Sequence, residues 1–284
     1  MKKNPMPRTA VMRGQLPTST RNLKRLPPIP KLDMSVNAGD YKNIPIQFDH
    51  PLYTEDLVDI RDFGIAGESF YFRCDGENAP YHRRLEGSTP EILVRKTVAG
   101  KLKGVNLKLE PLGLELFVWD AYRSLKTQVG IWNHFEETVR NENPKLNDEE
   151  IYKKVIGYVS DPNWFHIDDS STWPTHMTGA SIDLTIRSLD DKRILDMGAD
   201  FDQMDCLAST TYFEDKKKQN KLSDRDPRLI NRRLLFYAMA SSGFTNYPLE
   251  YWHFDWGNQM YRMIDSMLSG DPIKPAFYGV VHSD

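Results

Sequence analysis

Hydrophobic positions change their period several times along the chain, and each change marks an element. Thr89-Pro90-Glu91 supplies a cap, a first-turn proline and a first-turn acid, and Ile92, Leu93, Val94, Val98, Leu102 and Val105 follow at helical spacing. That pattern predicts a helix from Thr89, weakened at Gly100 and Gly104 and ending near one of them. Leu114 to Trp119 reads as a mostly buried strand ending at Asp120. Helices are expected over 125–141 and over roughly 148–158, the second opening at a cap in Asn147-Asp148-Glu149-Glu150. Ala180 to Ile186 is a second strand, with Ser181, Asp183 and Thr185 on one face and Ile182, Leu184 and Ile186 on the other. Asp226-Pro227 opens another helix, closed by Gly243, and Tyr251 to Trp256 is a third strand. Residues 33–88 scatter aromatics among turn residues, as loops and short strands around a core do. Short strands with separate helices predict an α+β fold: one compact domain, 33–284, with a small central antiparallel sheet flanked by helices.

Charge sets one segment apart. Residues 1–32 hold eight Lys/Arg, six prolines and no acid, leaving 29 basic against 40 acidic residues in the rest. This stretch is read as a mobile, solvated arm, with a nucleic-acid or membrane-surface tether as the alternative. The net charge of −3 gives no general pull toward nucleic acid. Apolar runs fall far short of the roughly 20 residues a membrane helix needs. The start has positive charges but no apolar stretch of about 7–15 residues after them, so no signal peptide is expected and the location expected is cytoplasmic. Two cysteines exclude a disulfide scaffold and a Cys-rich zinc module, and Cys74 and Cys206 are expected to be free thiols.

Three segments concentrate the chemistry: Trp119-Asp120-Ala121-Tyr122-Arg123, His176 through Asp183, and Glu250-Tyr251-Trp252-His253. Zinc at a catalytic site takes three N or O ligands, which His176, Asp183 and His253 could supply. Glu250 could accept and return a proton beside such a metal, and Arg123 could steady an oxyanion. The spacings also arise by chance. Asp183 as a buried acceptor of backbone hydrogen bonds, His253 packed among Trp252, Phe254 and Trp256, and Arg123 in an ordinary ion pair explain them equally well. A three-residue step along a flat strand puts Glu250 and His253 on opposite faces, so the pair needs a bulge or turn, which Pro248 could help to create.

The motifs VWDAYRS (118–124), HMTGASIDLTI (176–186), DMGADFD (196–202) and LEYWHF (249–254), with the helical NRRLLFYAMASSGF (231–244) before the last, resemble the D-alanyl-D-alanine dipeptidases, a family of zinc peptidases. The resemblance covers roughly residues 65–265. It implies one zinc in a cleft on His176, Asp183 and His253, Glu250 as general base, and Arg123 stabilising the tetrahedral intermediate. It also implies that Asp202 holds the free amino terminus of a small dipeptide. Membrane and nucleic-acid partners are not expected. A D,D-carboxypeptidase or murein endopeptidase on cell-wall peptides, or a non-catalytic zinc-binding domain, are the alternatives. The pattern departs at Pro174, where the family usually has a serine that helps to recognise the substrate amine, so the resemblance does not fix the preferred dipeptide. Ser181 stands where alanine is common. Tyr71 and Tyr81 fall in a stretch, 70–83, that resembles a family segment near the active site, though core packing is their default role. Asp120 is expected to orient the arginine loop, and Asp255 and Trp256 to back the metal ligands. His50, His82, His134, His166 and His282 are expected to be ordinary surface or core histidines.

Overall fold

The computed structural model describes residues 16, 23, 25–34, 40–203 and 205–281. Seven strands and six α-helices follow one another as β1 (Leu57–Asp59), β2 (Ala66–Gly67), β3 (Leu93–Arg95), α1 (Lys96–Leu109), β4 (Leu114–Asp120), α2 (Leu125–Glu142), α3 (Asp148–Val155), β5 (Ser181–Ser188), α4 (Tyr212–Lys218), α5 (Pro227–Ala240), β6 (Thr245–Asn246), β7 (His253–Asp255) and α6 (Gln259–Ser269). A five-stranded sheet runs β2-β4-β5-β7-β6, antiparallel except for the β2–β4 pair, and β1 and β3 form a separate two-stranded ribbon. The α+β class is as expected.

Local chemistry explains most boundaries. Ser124 caps α2 by accepting from Thr127 N–H, and Ile131, Trp132, Phe135 and Val139 form its buried stripe. Asn147 and Glu150 complete a capping box at α3. Asp226 and Pro227 start α5. The helix expected from Thr89 begins later. Residues 93–95 form a strand instead, paired with 57–59, and α1 then runs through both glycines to Leu109. A Cβ at Gly100 would meet nothing within 4 Å, so nothing in the packing requires the helix to end there.

Part of the basic segment is seated on the domain. Most of 1–24 lies outside the described residues, but 25–32 packs on the domain. Leu26 and Ile29 are buried in the main core. Glu214 accepts from Ile29 N–H at 3.0 Å and from Arg233 Nε at 2.6 Å, and Arg233 Nη1 donates to the Leu26 carbonyl at 3.1 Å. A buried carboxylate–guanidinium pair thus ties the segment down, so the domain extends N-terminally of residue 33.

Cys74 and Cys206 are exposed and unpaired. Among the described residues, no helix is long and apolar enough to cross a membrane.

The sheet brings the chemistry together through register. Asp183 of β5 stands opposite both Asp120 of β4 and His253 of β7. Val118 pairs with Leu184, so regular pairing would set Trp119 against Asp183. A bulge at Trp119 gives that place to Asp120 and turns its carboxylate toward the site. The opposite face of the sheet, Val118, Ile182, Leu184 and Ile186, is core, and α1 packs against β4 and α5.

Candidate metal centre and its surroundings

His176 sits in a short 3-10 turn, Thr175–Thr178, that leads into β5. Gly179 ends the turn at φ +67°, and a Cβ there would lie 2.4 Å from Leu57 Cδ2, so glycine is required. Arg95 braces the same turn, a contact that no sequence motif announces. Its Nε donates to the Thr178 carbonyl at 2.9 Å, its Nη2 to the Gly279 carbonyl at 3.1 Å, and its Nη1 to the Glu55 carbonyl. Pro174 precedes the turn and offers no side-chain cap.

His176, Asp183 and His253 are buried, and one donor atom from each lies within 4.8 Å of the others. His176 Nδ1 faces the Ala121 carbonyl at 2.7 Å and His253 Nε2 faces Asp255 Oδ2 at 3.1 Å. Both oxygens only accept, so those nitrogens carry the hydrogens. The remaining two nitrogens, His176 Nε2 and His253 Nδ1, lie 3.2 Å apart, and Asp183 Oδ1 is 3.0 Å from His253 Nδ1, so two imidazoles and a carboxylate converge. Two imidazole nitrogens and a buried carboxylate make an N2O donor set that suits a zinc ion. Burial pulls His176 down to about 3, which keeps it neutral, whereas His253, against the pull of burial, is held well above its ordinary value by Asp255 and Asp183. Burial works against charge on Asp183, but His176, His253 and Arg123 hold it below the usual carboxylate range. No other group of three such donors occurs among the described residues, and His282 lies outside them.

Glu250 reaches the cluster from the β6–β7 connection. Its N–H bonds to the Tyr247 carbonyl at 3.1 Å and its own carbonyl accepts from His253 N–H at 3.3 Å, so a turn brings the two residues together. Glu250 Oε2 lies 3.9 Å from His253 Nδ1, and 27% of the side chain stays open to solvent. Its desolvating surroundings push the carboxyl up to about 7.

Arg123 enters from the other side. Its Nε donates to Asp120 Oδ2 at 2.9 Å and its Nη1 to Gln128 Oε1 at 3.1 Å, while Nη2 lies 3.6 Å from Asp183 Oδ2. Asp120 therefore orients the arginine, as expected. Burial pushes its own carboxyl up to about 7, against the pull of Arg123.

Asp202 closes the site on a loop whose backbone turns through φ +62° at this residue. Tyr81 donates to its Oδ2 at 2.6 Å, and the Tyr71 hydroxyl, 3.4 Å from the same oxygen, accepts from Arg123 Nη2 at 3.1 Å. Both buried tyrosines thus belong to the hydrogen-bond network of Asp202 and do more than fill the core. Trp256, expected behind the ligands, packs instead against Phe277, Tyr278 and Lys101.

The loop that carries Asp202 hangs on Arg232 of α5, which donates from Nε to the Met197 carbonyl at 2.8 Å and from Nη1 and Nη2 to those of Ser209 and Leu207, each at 2.6 Å. Arg232→Met leaves the Met197 and Leu207 carbonyls without a donor, while Ser209 keeps the Tyr212 N–H, and is expected to cost about 3 kcal/mol in urea denaturation. A loss under about 1 kcal/mol would show that the loop holds itself.

Comparison with known proteins identifies the relatives of the chain. The family model described as D-ala-D-ala dipeptidase matches residues 82–268, which include all four motifs but neither tyrosine. The chain is 31% identical over 208 residues to a D-alanyl-D-alanine dipeptidase of Synechocystis sp., covering 69% of this chain and 81% of that protein. It is 29% identical over 178 residues to one of Enterococcus faecalis, covering 61% and 74%, and 28% identical over 143 residues to one of Escherichia coli, covering 50% and 55%. Matched over most of its length, the chain belongs to the D-alanyl-D-alanine dipeptidase family and is a metallopeptidase.

Proposed function

We propose that the chain hydrolyses D-alanyl-D-alanine or a closely related dipeptide, with zinc held by His176, Asp183 and His253. What supports this reading is that Glu250 Oε2 lies 3.9 Å from His253 Nδ1 and Arg123 Nη2 3.6 Å from Asp183 Oδ2, with Asp202 joined to Arg123 through the Tyr71 hydroxyl. Zinc bound there would act as a Lewis acid, polarising a carbonyl and making hydroxide available near neutral pH.

The chain's own residues supply the rest. Glu250 takes the proton of the attacking water and passes it to the leaving amine, for which a carboxyl near 7 is well matched. Arg123, pinned by Asp120 and Gln128, presents a guanidinium N–H already oriented toward the developing oxyanion. Asp202, with Tyr81 fixed on its Oδ2, offers the substrate ammonium a buried carboxylate partner. A blocked amino terminus leaves that carboxylate unpaired, which selects for a free one.

Asp202→Asn removes the charge and keeps the shape. It is expected to lower kcat/KM for a free dipeptide by roughly 10–100-fold, the value of a hydrogen bond to a charged group. It should also erase the preference over the N-acetylated dipeptide. A steady-state comparison of the two substrates tests this, and an unchanged preference would remove Asp202 from amine recognition.

A further inference from the structure

Ser181 and Asp255 stand opposite each other across β5 and β7, two residues along from the Asp183–His253 pair and on the same face. Both are 0% exposed. Neither belongs to the donor set or to the groups assigned to substrate. A carboxylate so deeply buried needs its acceptor sites filled, and the way Asp255 is filled is informative. Its Oδ2 takes the His253 Nε2 hydrogen, while its Oδ1 accepts from Ser181 Oγ at 2.6 Å and from Asn258 Nδ2 at 2.7 Å.

The direction of each bond is determined. Asn258 caps α6, its Oδ1 accepting from Tyr261 N–H at 2.9 Å, so its other terminal atom is the NH2 donor. That NH2 also reaches Ser181 Oγ at 2.9 Å. Ser181 accepts there, and its single hydrogen goes to Asp255. With Oδ1 doubly engaged, Oδ2 is left to His253. Nδ1, the atom that faces Asp183 and His176, is then the His253 nitrogen left to a metal.

We propose that Ser181 and Asn258 are positioning residues that act through Asp255: they lock the ring plane and tautomer of His253, set the affinity of the metal centre, and couple it to the cap of α6. This rests on the reading of His253 as a ligand. If the network served only to cap the helix, metal affinity would not depend on it.

The test uses the full chain, stripped of metal and titrated with zinc against a chromophoric chelator, with the visible absorption of the cobalt-loaded protein as a second readout. Ser181→Ala is expected to weaken zinc binding about 10-fold and Asp255→Asn toward 100-fold, the range for losing an outer support of a ligating histidine, and both should shift the cobalt bands. Asn258→Asp keeps the acceptor for Tyr261 while removing both donated hydrogens, and should weaken zinc binding as well. Ser181→Thr retains the hydroxyl and should bind zinc as the wild type does. Wild-type affinity and an unshifted cobalt spectrum in Ser181→Ala and Asp255→Asn would overturn the proposal, as would a Ser181→Thr variant as weak as Ser181→Ala. Should Asp255→Asn fail to fold, Ser181→Ala, which removes one oxygen atom, decides alone. His253→Ala separates the two levels. Undiminished zinc binding there defeats the ligand reading itself, whereas loss of zinc there with Ser181→Ala unaffected defeats only the positioning role.

Discussion

Replacing Glu250 with alanine is expected to lower kcat for dipeptide hydrolysis by about three orders of magnitude while one zinc per chain stays bound. The two halves of this result have separate causes. Turnover falls because, among the described residues, the other carboxylates near the donor set are engaged: Asp120 with Arg123, Asp202 with the tyrosines and Asp255 with His253. Metal binding persists because Glu250 is not needed to complete the set of His176, Asp183 and His253. Stability should change little, since the side chain is partly solvent-exposed and its main-chain turn with Tyr247 and His253 does not involve the carboxylate. Kinetics and metal analysis on one preparation distinguish the outcomes. Near-normal turnover would reassign the base, and loss of zinc together with turnover would make Glu250 a ligand.

His176→Ala carries the second large effect. Its Nε2 is one of three donor atoms, and two donors do not hold a catalytic zinc. The loss in affinity should exceed by far the roughly 100-fold limit of an outer-support substitution, so the variant should emerge from desalting without metal and without activity. The wild type should also gain about 2.7 kcal/mol of stability at zinc concentrations 100-fold above its dissociation constant, and His176→Ala none. Thermal unfolding with and without zinc reads this directly. A variant that keeps both its zinc and its zinc-dependent stabilisation would exclude His176 from the centre.

The sequence made some of this legible and left the rest to tertiary structure. Strands β4 and β5 and helices α2 and α3 announce themselves because period, caps and turn residues agree there, down to the capping box of Asn147 and Glu150. The misplaced start of α1 shows the opposite case. Ile92 and Val94 fit a helical stripe and a buried strand alike, and pairing with β1, more than 30 residues away, decides for the strand. Nor does composition reveal the seating of Leu26 and Ile29, because their anchor, the Glu214–Arg233 pair, lies roughly 190 residues downstream. The candidate metal donors are nameable from motif order, but spacing alone does not join them. Their meeting depends on the register of β5 with β7, and that of Asp120 with them on one bulge at Trp119. Arg95 and Arg232 are silent in the sequence for a related reason: each grips carbonyls from separated loops, and carbonyls leave no trace in a sequence.

The most direct measurement is free alanine released from D-alanyl-D-alanine by the zinc-loaded protein, with Glu250→Ala run beside it. Release by the wild type and its near-absence in the variant is the expected result. No release from a wild-type protein that holds its zinc, or equal release from both, would contradict the assignment of substrate in the first case and of the base in the second.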